Sequence, residues 1–121
     1  FTGILTIPSN LEYIGRACFQ NCSNPTSLKF EENSKLTSIN EYAFYGCESL
    51  AGELIIPDGM TSIGRFSFAG ANAITSVIIP ESVTEIGSGA FSYCPLLTIH
   101  APAGSYAETY AKEHNIPFVA E

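Results

Sequence analysis

A repeat solenoid of four to five stacked coils, closed by a C-terminal helix and strand, is the fold class this sequence predicts. Three observations predict it. The segment Ile-Gly-x-x-x-Phe recurs as Ile14-Gly15 to Phe19, Ile39-Asn40 to Phe44, Ile63-Gly64 to Phe68 and Ile86-Gly87 to Phe91, with successive Phe residues 25, 24 and 23 positions apart. A fixed period in this range marks coils that each bury their apolar face against the next. A strand-like apolar stretch precedes each copy, and the tail after the last copy changes to helical spacing.

The strand pieces are Leu5-Thr6-Ile7-Pro8, Leu28-Lys29-Phe30, Leu54-Ile55-Ile56-Pro57 and Val77-Ile78-Ile79-Pro80. Period-two alternation turns Leu54 and Ile56 to one side and Ile55 to the other. Pro8, Pro57 and Pro80 end the ladders, because proline has no N–H to donate. An apolar residue follows (Leu11, Leu36, Met60, Val83), then the Ile of the motif three positions later. The next position holds Gly15, Asn40, Gly64 and Gly87, the residue types that best tolerate positive φ, so a left-handed backbone is expected there. A small residue before each Phe (Cys18, Ala43, Ser67, Ala90) reads as a tight helical turn, and the Phe as the large apolar plug of the coil.

Irregularities fall between strands, where surface turns absorb them at low cost. Phe30 to Leu36 is two residues longer than Ile56 to Met60. The last coil is short, and Leu97 fits either the strand register or the position before it. In the tail, Ser105 with Glu108 is a capping-box pattern, and Tyr106, Tyr110 and His114 recur at helical spacing. Asn115 is a left-handed stop before Ile116-Pro117. A helix over 105–114 and a closing strand over 117–120 are expected to cover the end of the stack. The organisation is thus one continuous domain, with coils over 1–100 and a cap over 101–121. Its start at Phe1, with no Met or leader pattern and the repeat already under way, carries the expectation of a fragment of a longer protein.

Composition narrows the function. Apolar residues make up 45% of the chain and charged residues 14%, with 12 acids against 5 bases and a net charge of −7. A nucleic-acid binder needs clustered Lys or Arg, whereas Arg16, Lys29, Lys35, Arg65 and Lys112 are scattered, so no nucleic-acid partner is expected. No apolar run approaches the roughly 20 residues of a membrane span, and no membrane insertion is expected.

The repeat resembles the BspA-type, or Treponema pallidum-type, leucine-rich repeat. The best copy runs Ile74, Val77, Ile79-Pro80, Val83, Ile86-Gly87, Ala90-Phe91 and Cys94, and the coil before it matches through Leu54, Ile56-Pro57, Met60, Ile63-Gly64 and Phe68. The tail from Ala103 to Glu113 is similar to the end of many such domains. The resemblance implies a secreted or surface-exposed protein, commonly of host-associated bacteria, with relatives linked to adhesion and to binding host or matrix proteins. The family has no fixed catalytic or ligand residues to carry over.

Candidate chemistry is sparse. Cys22, Cys47 and Cys94 share one repeat position that Ala71 fills in the remaining copy, which reads as small and buried. Adjacent coils about 4.7–4.9 Å apart would also permit a bridge between Cys22 and Cys47, and Cys18 could approach Cys22 on the turn. A metal site needs converging ligands, and the two histidines, His100 and His114, both lie in the tail, so no metal or cofactor is expected. Neither a nucleophile elbow nor a phosphate-cradling loop is present, and Glu31-Glu32 reads as a solvated loop rather than a general acid and base. An enzyme is therefore not expected. Thr37, Thr61 and Thr84 stack in register, one per coil, a ladder of the kind that commonly serves only the sheet.

The outward strand positions Thr6, Lys29, Ile55 and Ile78 are the candidate partner-binding residues. Two apolar side chains on neighbouring coils would form an exposed strip for a protein or glycan partner. The expected function is a non-catalytic binding or adhesion module at the cell surface or outside the cell. Its rivals are a spacer within a larger secreted or wall-attached protein and an accessory domain of an enzyme.

Overall fold

The structure is a computed structural model, and it describes residues 3–121. Each of the first four coils contributes two strands, and the last contributes one before the cap. The first series is β1 (Ile4–Ile7), β3 (Ser27–Phe30), β5 (Ala51–Ile55), β7 (Ala73–Ile78) and β9 (Thr98–Ala101). The second series is shorter: β2 (Tyr13–Ile14), β4 (Ser38–Ile39), β6 (Ser62–Ile63) and β8 (Glu85–Ile86). A helix, α1 (Tyr106–Glu113), and a last strand, β10 (Phe118–Ala120), follow. The short strands form one parallel sheet in the order β2-β4-β6-β8. The long strands form two parallel ladders, β1-β3 and β5-β7-β9-β10, with no ladder between β3 and β5. We call these the narrow sheet and the broad sheet.

Between the sheets lies an apolar core in which each coil repeats its residues. Leu54, Ile56, Met60, Ile63 and Phe68 are buried from one coil, and Val77, Ile79, Val83, Ile86 and Phe91 from the next. The motif Phe rings stack face to face down the axis. Phe19–Phe44, Phe44–Phe68 and Phe68–Phe91 have centroids 5.2, 5.1 and 5.6 Å apart. Near-parallel rings at this spacing add to the burial of large apolar side chains. Leu97 lies before the strand rather than in its register. Its N–H bonds the Cys94 carbonyl as Leu50 bonds Cys47 and Ile74 bonds Ala71, and Ile99 is the residue that pairs with Val77.

The tight turn expected before each Phe is a run of consecutive turns rather than a helical one. Cys18, Ala43, Ser67 and Ala90 donate to the carbonyl three residues back. The intervening N–H groups leave the coil: Tyr42, Phe44 and Gly46 donate to Arg65, Ser67 and Ala69 of the next coil at 2.9, 2.7 and 2.9 Å. Neighbouring coils are thus bonded along the turn edge as well as along the narrow sheet, and along the broad sheet except between β3 and β5.

This pattern moves the left-handed residues. The Gly position of the motif does not adopt positive φ. Positive φ falls two residues later, at Ala17, Tyr42, Phe66 and Gly89, and again at Asn21, Gly46, Gly70 and Tyr93. Holding bulky Tyr42 and Phe66 there costs about 1–2 kcal/mol each, which the inter-coil bonds must offset. The motif glycine serves close approach instead. A Cβ on Gly64 would lie 2.5 Å from the Glu41 backbone N, and one on Gly87 2.5 Å from that of Arg65. Real Cβ atoms do not come that near, so the coils could not stack at their present spacing with a side chain there.

At the C-terminal end the Phe column meets the cap. Tyr110 packs edge-on against Phe91, and His114 stacks on Tyr110 while its Nδ1 lies 2.8 Å from the Tyr110 carbonyl. Ser105 caps α1 by accepting from the Glu108 N–H, and Glu108 reaches back to accept from the Gly104 N–H, one residue earlier than in a regular capping box. Lys112 pairs with Glu108, and this ion pair and the Gly104 N–H bond hold the Glu108 carboxyl below the usual carboxylate range. Asn115 is left-handed at φ 57, and β10 then joins β9.

Candidate partner-binding face

The four candidate residues lie on the solvent side of the broad sheet. Thr6 pairs with Lys29 across β1 and β3, and Ile55 pairs with Ile78 across β5 and β7. Thr6, Lys29 and Ile55 are exposed and Ile78 is half-buried, whereas the alternate residues Ile7, Leu28, Leu54 and Val77 are buried. The inward–outward assignment therefore holds in each of these strands.

The row is longer than the sequence reading made it. Ile78 also pairs with His100 on β9, and His100 with Val119 on β10. Ile55 is 55% exposed and Val119 45%, so two apolar side chains flank the Ile78–His100 pair. His100 lies 3.4 Å from Glu121. Placing Ile99 rather than Leu97 in the strand register is the step that reveals His100 and Val119. The row is interrupted between Lys29 and Ile55, where the broad sheet has no ladder. A cleft of about 710 Å³ opens there, bounded by Lys29, Phe30 and the 31–34 loop on one side and by Glu53, Ile55, Pro57 and Asp58 on the other.

The narrow sheet is built differently. Thr37, Thr61 and Thr84 donate their hydroxyls to the carbonyls of Glu12, Thr37 and Thr61 at 3.1, 2.9 and 3.5 Å. This ladder stitches coil to coil. Beside it Glu41 bridges Arg16 at 2.9 Å and Arg65 at 3.1 Å. The Arg65 hydrogen bond, with both positive charges, keeps the Glu41 carboxyl below the usual range. Tyr42 stacks on Phe66 at 5.6 Å, and the Arg16 guanidinium lies 5.9 Å from the Tyr42 ring.

All four cysteines are free thiols. The repeat position has a specific contact that spacing did not reveal: Cys47 and Cys94 donate S–H to the carbonyls of Phe19 and Phe68 in the preceding coil, at 3.1 and 3.3 Å. Burial pushes both thiols up to about 11. Cys47 is fully buried, Cys22 and Cys94 are half-buried, and Cys18 is exposed. Among the described residues no three His, Cys, Asp or Glu side chains converge in a way that could hold a metal, and no helix is long and apolar enough to cross a membrane.

Coils of this geometry, with two parallel strand series, an axial Phe column and inter-coil bonds along the turn edge, define a leucine-rich repeat solenoid. The chain belongs to the BspA type leucine rich repeat family, whose sequence model matches six copies over residues 3–114. Two solved structures are similar over most of it. The leucine-rich repeat protein of Treponema pallidum is 34% identical with a TM-score of 0.72, covering 80% of this chain and 44% of that one. A leucine-rich repeat protein from Bacteroides ovatus is 27% identical with a TM-score of 0.78, covering 97% and 30%. The pneumococcal vaccine antigen PcpA shares the fold at 22% identity and a TM-score of 0.62, covering 84% and 31%. The chain thus spans less than half the length of each of these proteins. No curated protein matches it.

Proposed function

We propose that this chain is a non-catalytic binding module that docks a protein or glycan partner on the outward face of the broad sheet, outside the cell or at its surface. The observation that carries the reading is the row Thr6, Lys29, Ile55, Ile78. These side chains share one face, point away from the core and, among the described residues, make no ion pair. Repeat scaffolds use such extended faces for recognition, because stacking builds a broad surface without loops. The surface location rests on the resemblance of the repeat to secreted and surface-exposed proteins. The spacer reading is the rival, and only a binding measurement separates the two.

The test is an array of immobilised matrix proteins and glycans probed with the chain and with the Ile55→Ser, Ile78→Ser double variant. The expected result is at least one partner that the chain retains and the folded double variant loses. Equal binding by both would move the site off this face, and no binding by either would favour the spacer.

A further inference from the structure

The break in the broad sheet sits in the middle of the proposed face, and its chemistry is one-sided. The two coils are still joined where the strands begin, since the Ala51 N–H donates to the Thr26 carbonyl at 2.9 Å. Beyond that point they part. Gly52, at φ 78, lies at a register shift between β5 and β7, and the longer 31–35 loop is bonded to the first coil. There the Glu31 carboxylate accepts from the Ser9 N–H at 2.8 Å. Ser27 and Glu31 direct their N–H groups to Gly3 and Ile7 of the first coil, so strand alternation turns the backbone of Leu28 and Phe30 toward β5. By the same alternation Ile56, which donates to Ile78, turns the backbone of Ile55 toward β3. No ladder closes between these facing edges.

The resulting cleft of about 710 Å³ has Ile55 and half-buried Phe30 on its walls and Glu32, Glu53 and Asp58 at its rim. None of these three carboxylates forms an ion pair among the described residues, and Lys29 is the one cation lining the cleft. An opening with hydrogen-bonding edges, an apolar wall and an acidic rim suits one kind of occupant. We infer that the cleft between β3 and β5 receives an extended peptide segment of basic character, with an apolar side chain laid on outward-facing Ile55 and flanking Lys or Arg side chains turned to Glu32, Glu53 and Asp58. This is edge recognition of an extended chain, in which the backbone supplies affinity and alternate side chains supply specificity. The inference deepens the proposed function by naming the partner chemistry, and it rests on that reading of the face.

The probe is a short labelled peptide alternating Lys and Leu, compared with its Glu and Leu counterpart by fluorescence anisotropy against the full chain. Only the basic peptide should saturate, and added salt should weaken it as rim charges are screened. The Glu53→Lys, Asp58→Lys double variant should lose about tenfold or more in affinity at an unchanged melting temperature. A control with the same change of charge on the cap, Glu113→Lys with Glu121→Lys, should keep its affinity. Equal binding of both peptides, no binding of either, or an equal loss in the cap control would overturn the inference. The two readings fail separately. If the array partner is lost in the Ile55→Ser, Ile78→Ser variant while the basic peptide never binds, the face stands and the peptide assignment falls. If the peptide binds the cleft but array binding is indifferent to both Ile residues, the wider face falls instead.

Discussion

On the narrow sheet, Thr37, Thr61 and Thr84 give their hydroxyls to the coil before, and Glu41 holds Arg16 and Arg65. On the broad sheet, Lys29, Ile55 and Ile78 make no bond of that kind, and the ladder itself stops between β3 and β5. One face has its polar groups engaged in holding the stack together. The other leaves side chains and strand edges available. The two faces belong to the same coils and share one core, so the difference is not one of burial. It separates residues that set coil spacing from residues free to meet a partner, and substitutions on the two faces should therefore do opposite things.

The largest effect is expected in the core that both faces share. Phe68→Ala should cost roughly 3–5 kcal/mol in chemical denaturation, since it removes a fully buried ring stacked on both sides. A loss under about 1 kcal/mol would mean the Phe column does not hold the coils together. Next comes the close approach beside the narrow sheet. Gly64→Ala places a Cβ against the Glu41 backbone and should cost about 1–3 kcal/mol, although Gly64 is not left-handed. An unchanged midpoint would show that the coils can separate there without penalty.

The turn edge should report through pH. Cys47 and Cys94 are pushed up to about 11 in the folded chain by burial, above the ordinary thiol value they regain on unfolding. Between those limits the folded state holds more protons than the unfolded one, so stability falls as pH rises from about 9 to 11. Below pH 9 the contribution is fully present. Cys47→Ala with Cys94→Ala should flatten that part of a melting-temperature profile, and an unchanged slope would mean that other groups carry it.

How much of this was legible in the sequence follows from which interactions repeat. The period, the plugs Phe44 and Phe68, the outward row and the capped tail are patterns of residue type at fixed spacing, and they could be read directly. The role of Gly64 and Gly87 could not, because the same residue type serves positive φ and close approach, and only the neighbouring coil distinguishes them. The cleft was invisible for a related reason. A loop two residues longer looks like harmless surface length, and nothing in its spacing shows that Glu31 is bonded to Ser9 of the first coil. His100 and Val119 were hidden behind the short last coil, where Leu97 fitted two registers equally well.

Two smaller effects set the faces against each other. Thr61→Val removes one rung of the hydroxyl ladder and should cost about 0.5–1.5 kcal/mol, measured as a shift in denaturation midpoint at constant slope. Ile55→Ser with Ile78→Ser should cost no more than about 1 kcal/mol together, because these side chains face outward. Partner affinity should respond in the reverse order, strongly to the two Ile changes and not to Thr61→Val. A Thr61→Val variant that keeps its stability but loses binding would exchange the roles assigned to the faces.

Hydrogen–deuterium exchange of the chain, free and saturated with whichever partner the array identifies, tests the assignment most directly, because it maps protection along the backbone. The account predicts slowed exchange at Glu53–Ile55 and Ser76–Ile78, with Ser38–Ile39 and Ser62–Ile63 unchanged. Protection confined to the narrow-sheet strands β4 and β6, with the broad sheet unaltered, would contradict it.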